Sequence, residues 1–304
     1  MKGSLLLAAM LGLTCSSFGA DSTVEVDEAE HALSARLDGR TLWTFHHDPK
    51  EGKPYFHPLS SVDGTMFTDL RPDDHPWHRG IWFSWKFING VNYWEEDRQT
   101  GESAGRTLLL SAVQTVSKGR TVRIDMDLAY APAGTVEHVL WESRAVEVSP
   151  PDTNGAYTID WASEFRALEE DVVLDRTPLP GEPGGKDYGG YAGWSVRMNA
   201  DVRGGTFRNS EGKSGQTAHR QPAAWMLFTA SEGGSLLFMD HPENLGYPSK
   251  WYVAEGMPYF SPALIHDGPH TIKAGETLRL RYRIVVLPEG IGTPVAPAGW
   301  LGWE

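Results

Sequence analysis

The chain has 304 residues, one cysteine and a formal net charge of −13. A chain of that length can bury an ample core, a lone cysteine rules out a disulfide framework, and the acidic balance argues against nucleic acid or an anionic membrane surface as partner. Its 33 glycines and 20 prolines promise frequent turns and few long helices.

Residues 1–20 read as a secretory signal peptide, with Lys2 first, an apolar run from Leu5 to Leu13, and small residues up to Ala20. The run is shorter than the roughly 20 residues that span a bilayer, and no later run reaches that length. The expected mature protein is one β-sandwich domain over residues 21–304, periplasmic or secreted, without Cys15.

The first polar cluster is "PYFHPL", Pro54 to Leu59, which carries His57. The second is "DDHPWHRGIWFSW", Asp73 to Trp85, followed by "NGVNYWEE" with Asn92, Trp94, Glu95 and Glu96. Pro76 divides the first of these. Asp73 to Arg79 reads as a loop, and Gly80 to Trp85 as a strand bound for the core. His75 and His78 share a face only if that loop turns, because on an extended strand they point opposite ways.

Further along, "TVRIDMDLAY" alternates with Val122, Ile124, Met126 and Leu128 on one face. "YTIDWASEF" puts Tyr157, Ile159 and Trp161 opposite Thr158, Asp160 and Glu164. The Pro/Gly-rich segment 179–193 reads as a long functional loop presenting Tyr188 and Tyr191. "MDHPENLGYPSKW" gathers Asp240, His241, Asn244 and Trp251, and "TLRLRYRIVV" sets three arginines opposite an apolar face. The arginines read as a solvated sheet surface. Many alternating segments with Gly/Pro turns predict an all-β fold, a large antiparallel β-sandwich or an open barrel with few short helices.

His57, His75 and His78, with Asp74 or Asp69, are the residues that could hold a divalent metal. The spacing is a weak metal motif, and no other cofactor is expected. Histidines beside carboxylates equally suit acid–base catalysis, with His75, His78, Asp74, Asp160 and Glu164 as the catalytic candidates. Asp160 and Glu164 lie about 13 Å apart on one strand face at ~3.3 Å per residue, too far to act as a direct glycosidase pair. Arg79 could bind a substrate carboxylate or clamp Asp74. His57, Arg79, Trp82, Asn92, Trp94, Tyr188, Tyr191, Arg197 and His241 complete the candidate substrate-binding set, with Trp82, Trp94 and Tyr191 as stacking walls for sugar rings. No nucleophile elbow, P-loop or dinucleotide fingerprint is present.

The segments "KPYFHPLSSVDGTMFTDLRPDDHPWHRGIWFSWKFINGVNYW", "TIDWASEFRAL", "GGYAGWSVRM" and "FMDHPENLGYPSKWYV" together resemble the PmoA-like family, labelled methane oxygenase PmoA. The resemblance covers roughly residues 40–290. It implies a carbohydrate context and a β-sandwich like the galactose-mutarotase supersandwich, while the label implies a metal-dependent oxygenase. The expected function is an exported carbohydrate-active enzyme that cleaves glycans as a hydrolase or lyase. The alternatives are a non-catalytic glycan-binding module and the oxygenase. Convergence of His57, His78, Asp160 and Arg197 on one pocket would favour an enzyme, and dispersal an ordinary polar surface.

Overall fold

The computed structural model describes residues 24–292, so the expected signal segment lies outside the described residues. The alternating segments form strands, and the sheets are antiparallel throughout. Nine strands make one sheet in the order Val24–Ala29, Ala32–Leu37, Arg40–His46, Tyr55–Leu59, Ile81–Ser84, Gly193–Arg197, Tyr259–Ala263, Lys250–Ala254 and Gln221–Pro222. Eight make the other, in the order Thr206–Asn209, Trp225–Thr229, Ser235–Asp240, Thr277–Leu287, Tyr157–Arg166, Leu140–Val148, Val122–Pro132 and Gly105–Val116. A small four-stranded sheet runs His270–Ile272, Val172–Asp175, Phe87–Ile88 and Val91–Asn92. Its last two strands meet at Asn89-Gly90, where both residues have positive φ (50° and 77°) as a type I′ hairpin requires. Among the described residues the helices are two short 3₁₀ turns, Ala200–Val202 and Gly215–Ala218.

The two large sheets pack as a β-sandwich. Phe83 of one touches Phe165 of the other at 5.1 Å between ring centroids, Trp194 touches Phe238 at 5.2 Å, and Phe238 touches Phe260 at 4.3 Å. Inward positions alternate with outward ones along each strand, so Ile124, Leu128, Ile159 and Ile284 are buried with these rings. Two inward positions break the apolar pattern. Glu142 and Arg144 form a fully buried ion pair (Nε to Oε1, 2.7 Å), with Tyr130 and Ser163 donating to the carboxylate and Trp161 beneath the guanidinium.

The outer face of the eight-stranded sheet carries the predicted arginine row, and each neighbour is a carboxylate. Arg283 donates to Asp160 at 2.5 and 2.7 Å, and Arg279 donates to Glu164 at 2.6 Å. Burial raises the Asp160 carboxyl above its usual range, although Arg283 opposes the shift. Asp160 and Glu164 therefore stand on the sheet opposite the one that His75 and His78 pack on. Glu164→Ala should leave any catalytic turnover unchanged; a large loss would place Glu164 in the chemistry.

Candidate functional site

The nine-stranded sheet has its own aromatic cluster on the outer face. Tyr55, Trp82, Tyr252 and Tyr259 project outward from four strands and pack with Trp94 and Tyr191 from the covering loops. Register explains the division. Phe56 pairs with Ile81 and faces the sandwich core, while Tyr55 pairs with Trp82 and faces out.

Gly80 positions the residues just before the Ile81–Ser84 strand. Its φ is +61°, and a Cβ there would lie 2.2 Å from the Phe56 carbonyl oxygen, so no other residue fits. The strand start is pinned by Gly80 N–H to Asp69 O and Arg197 N–H to Gly80 O, each 2.8 Å. Upstream, the chain does turn at Pro76. His75 N–H bonds to Pro72 O and His78 N–H to His75 O, both at 2.9 Å. The two imidazoles consequently stack, with centroids 4.6 Å apart and planes 20° from parallel. Tyr259 stacks on His78 from the sheet at 5.2 Å, and its hydroxyl shares a 2.9 Å hydrogen bond with Ser195.

A hydrogen-bonded chain runs across this stack. Arg197 Nη2 donates to both oxygens of Asp74 at 2.8 and 3.0 Å, and His75 Nδ1 lies 2.9 Å from Asp74 Oδ2. Burial pushes the Asp74 carboxyl up, but hydrogen bonds from His75 and Arg197 push it further down, so it is ionised. An ionised carboxylate accepts only, so His75 Nδ1 carries the proton and Nε2 is left to take one. His78 is 2 % exposed, and burial holds it well below its ordinary value, with His75 and Arg197 adding to the effect. It is a neutral imidazole, and its Nδ1 has no hydrogen-bond partner, like Nε and Nη1 of the buried Arg197. His75 is the accessible member, with its side chain one-third exposed (33 %).

Beside this chain lies a buried ionic group that local sequence did not announce. Lys53 Nζ donates to Trp94 O at 2.9 Å and to Glu96 Oε1 at 3.2 Å, and Arg79 Nη2 reaches the same Glu96 oxygen at 2.5 Å. Arg71 bridges Glu96 Oε2 at 3.1 Å and the Pro76 carbonyl at 3.3 Å, tying the group to the histidine loop. Burial pushes the Glu96 carboxyl up, but Lys53, Arg79 and Arg71 push it further down, below the usual range. Burial and Arg79 push the Lys53 amine down to about 8, with Glu96 opposing.

The sequence candidates thus divide. Asp74, His75, His78 and Arg197 converge. Arg79 clamps Glu96, and it is Arg197 that holds Asp74. Trp82 and Trp94 are each 1 % exposed and Tyr191 is 9 % exposed, so these rings form the floor and present no open wall to a sugar. Half-buried Trp77, 5.5 Å from His75, and Tyr188, 51 % exposed, are the accessible rings. Asn92 shapes a turn, with its Oδ1 accepting from the Trp94 and Glu95 amides and its Nδ2 donating to Glu95. His57 lies on the Tyr55–Leu59 strand with Nδ1 3.1 Å from Thr68 Oγ1. Among the described residues no group of three or more His, Cys, Asp or Glu side chains is placed to hold a metal ion, so the His57, His75, His78 triplet does not form a ligand set.

His241 and Asp240 stand at the end of the Ser235–Asp240 strand, in the other sheet. Asp240 accepts from Asn244 at 2.7 Å and from the Ser249 amide at 2.9 Å, and burial pushes its carboxyl up to about 6 from the ordinary 3.8. The fold favours its protonated form, so the stability it contributes is full below 3.8 and is lost as pH rises through about 6. Carbon-13 detection of the Asp240 carboxyl should show a midpoint near 6, and unfolding free energy should decline across that window more steeply than in Asp240→Asn.

Fold and site together define an all-β sandwich protein with a histidine–carboxylate–arginine chain on the outer face of one sheet. The chain belongs to the family of unknown function DUF6807, whose model matches residues 32–299. This match overturns the resemblance to the PmoA-like family and its galactose-mutarotase relatives, and the oxygenase reading loses the label on which it rested. No curated protein matches the chain. Among solved structures, the α-galactosidase from Lactobacillus brevis is 10% identical with a TM-score of 0.39, over 87% of this chain and 39% of that one. A TPR-domain containing protein from Parabacteroides distasonis is 8% identical with a TM-score of 0.24, over 90% of this chain and 49% of that one. The chain spans less than half the length of either structure. Among the described residues no helix is long and apolar enough to cross a membrane.

Proposed function

We propose that the protein is an exported carbohydrate-active enzyme that cleaves glycans by histidine–carboxylate acid–base chemistry. The observation that carries this reading is the Arg197–Asp74–His75 chain laid over neutral His78. Asp74 orients the His75 ring, and Arg197 fixes Asp74. His75 Nε2 then takes a proton from the attacking water or the sugar, or delivers one to the leaving oxygen. Buried, neutral His78 backs the His75 ring without a competing charge. Half-buried Trp77, 5.5 Å from His75, supplies an aromatic face of the kind on which sugar rings stack.

The experiment is an assay of the purified protein on a panel of neutral and acidic polysaccharides, read as new reducing ends or as unsaturated products. Turnover on one class supports the proposal. Calorimetric binding without turnover would replace it with a glycan-binding module.

A further inference from the structure

We propose that the cleft over Lys53 and Arg79 is an oxyanion-binding subsite, which takes the carboxylate or sulfate group of a charged sugar. The cleft has a volume of about 390 Å³, within the ~300–1,000 Å³ typical of small-molecule sites. It is lined by five cationic side chains, among them Lys53, Arg71, Arg79 and Arg106, and by three carboxylates. That local excess of positive charge sits in a chain whose net charge is −13. Clefts of one sign with low-dielectric walls concentrate counter-ions of the other sign.

Two buried cations face the cleft without full compensation. Arg79 is 2 % exposed and its Nε has no hydrogen-bond partner, although Nη1 and Nη2 are taken by Glu51 O and Glu96. Lys53 is 4 % exposed and shares the single Glu96 carboxylate with Arg79 and Arg71. Glu96, and Glu51 at 3.7 Å from Arg71, are two carboxylates among three cations, and the remaining positive charge is what an incoming oxyanion would neutralise, through charge-assisted hydrogen bonds to Arg. The groups facing Lys53 are Arg79, Glu96, Glu95 and the Trp94 carbonyl. Its amine titrates near 8, so affinity for an anion falls as pH rises through that value and the charge is lost.

Arg71 places the cleft next to the catalytic candidates, since the same guanidinium holds Glu96 and the Pro76 carbonyl between His75 and His78. A glycan whose charged group lies in the cleft would run its neighbouring sugar toward His75. Assigning the anion to a glycan rests on the proposed function, whereas the preference of the cleft for an oxyanion does not.

The test is titration calorimetry of the full chain with glucuronate, glucose 6-sulfate and glucose at pH 7, repeated at pH 9. The variants are Arg71→Gln and the double variant Lys50→Gln/Arg106→Gln, whose side chains are exposed and whose loss should leave the fold intact. At least one charged sugar should bind tenfold or more tightly than glucose, more weakly at pH 9, and about tenfold more weakly to each variant. Glucuronate alone assigns a uronate, and glucose 6-sulfate alone assigns a sulfate ester. Equal affinity for all three sugars, no binding of either charged sugar, or wild-type affinity in both variants overturns the subsite. The same titration on His75→Ala should match the wild type. Failure of the catalytic reading then shows only in turnover, and failure of the cleft only in calorimetry.

Discussion

Glu96→Ala should lower unfolding free energy by about 3–5 kcal/mol, the cost of removing one partner from a buried ion pair. Glu96 is 6 % exposed and is the carboxylate shared by Lys53, Arg79 and Arg71. Its loss takes from Lys53 and Arg79, both nearly inaccessible, the carboxylate they bond directly. Urea denaturation followed by tryptophan fluorescence measures the effect. A loss below about 1 kcal/mol, the scale of an exposed ion pair, would mean that solvent already shields this group. The pH dependence has a definite sign. The folded Glu96 carboxyl is depressed, so the stability it contributes is present above its ordinary value of 4.5 and is lost on acidification below it.

The second large effect concerns rate. Removing a positioned proton-transfer group costs about 10²–10⁴-fold, and His75→Ala should lose turnover on that scale while its melting temperature stays close to wild type, because the ring is one-third exposed (33 %). Asp74→Asn preserves shape but removes the charge that orients His75 and pairs with Arg197, so it should also lose turnover, by a smaller factor, with KM little changed. A variant of buried His78 cannot separate catalysis from packing, because that ring supports both His75 and Tyr259. For this reason the accessible histidine is the one to test.

The fold was legible because period-two alternation is a local property. Val122 to Leu128 and Tyr157 to Trp161 show their buried face in the sequence itself. The stretch from Asp73 to Trp85 was legible in outline, since Pro76 marks the turn and Gly80 the strand entry. What could not be read was which cation meets which carboxylate. Lys53 sits in a Pro/Gly-rich turn segment that suggests a solvated side chain, and its amine finds its partners, Trp94 and Glu96, 41 and 43 residues away. Arg197 finds Asp74 across 123 residues. Asp160 and Glu164 have the residue types of a catalytic pair, but sheet topology sends them to the opposite layer, where Arg283 and Arg279 pair with them. The tryptophans were ambiguous for a different reason. The segment around Trp82 reads as a core strand, and nothing local states that Trp82 points out of the sandwich core or that Trp94, Tyr191 and Tyr259 close over it. Glu142 and Arg144 occupy apolar register positions, which local pattern would have filled with hydrophobes.

The most direct test of the acid–base account is the rate of glycan cleavage by wild type and His75→Ala, side by side, on a substrate the wild type turns over. The account predicts a loss of at least about 10²-fold in kcat with the fold intact. A His75→Ala protein that cleaves at the wild-type rate would contradict it.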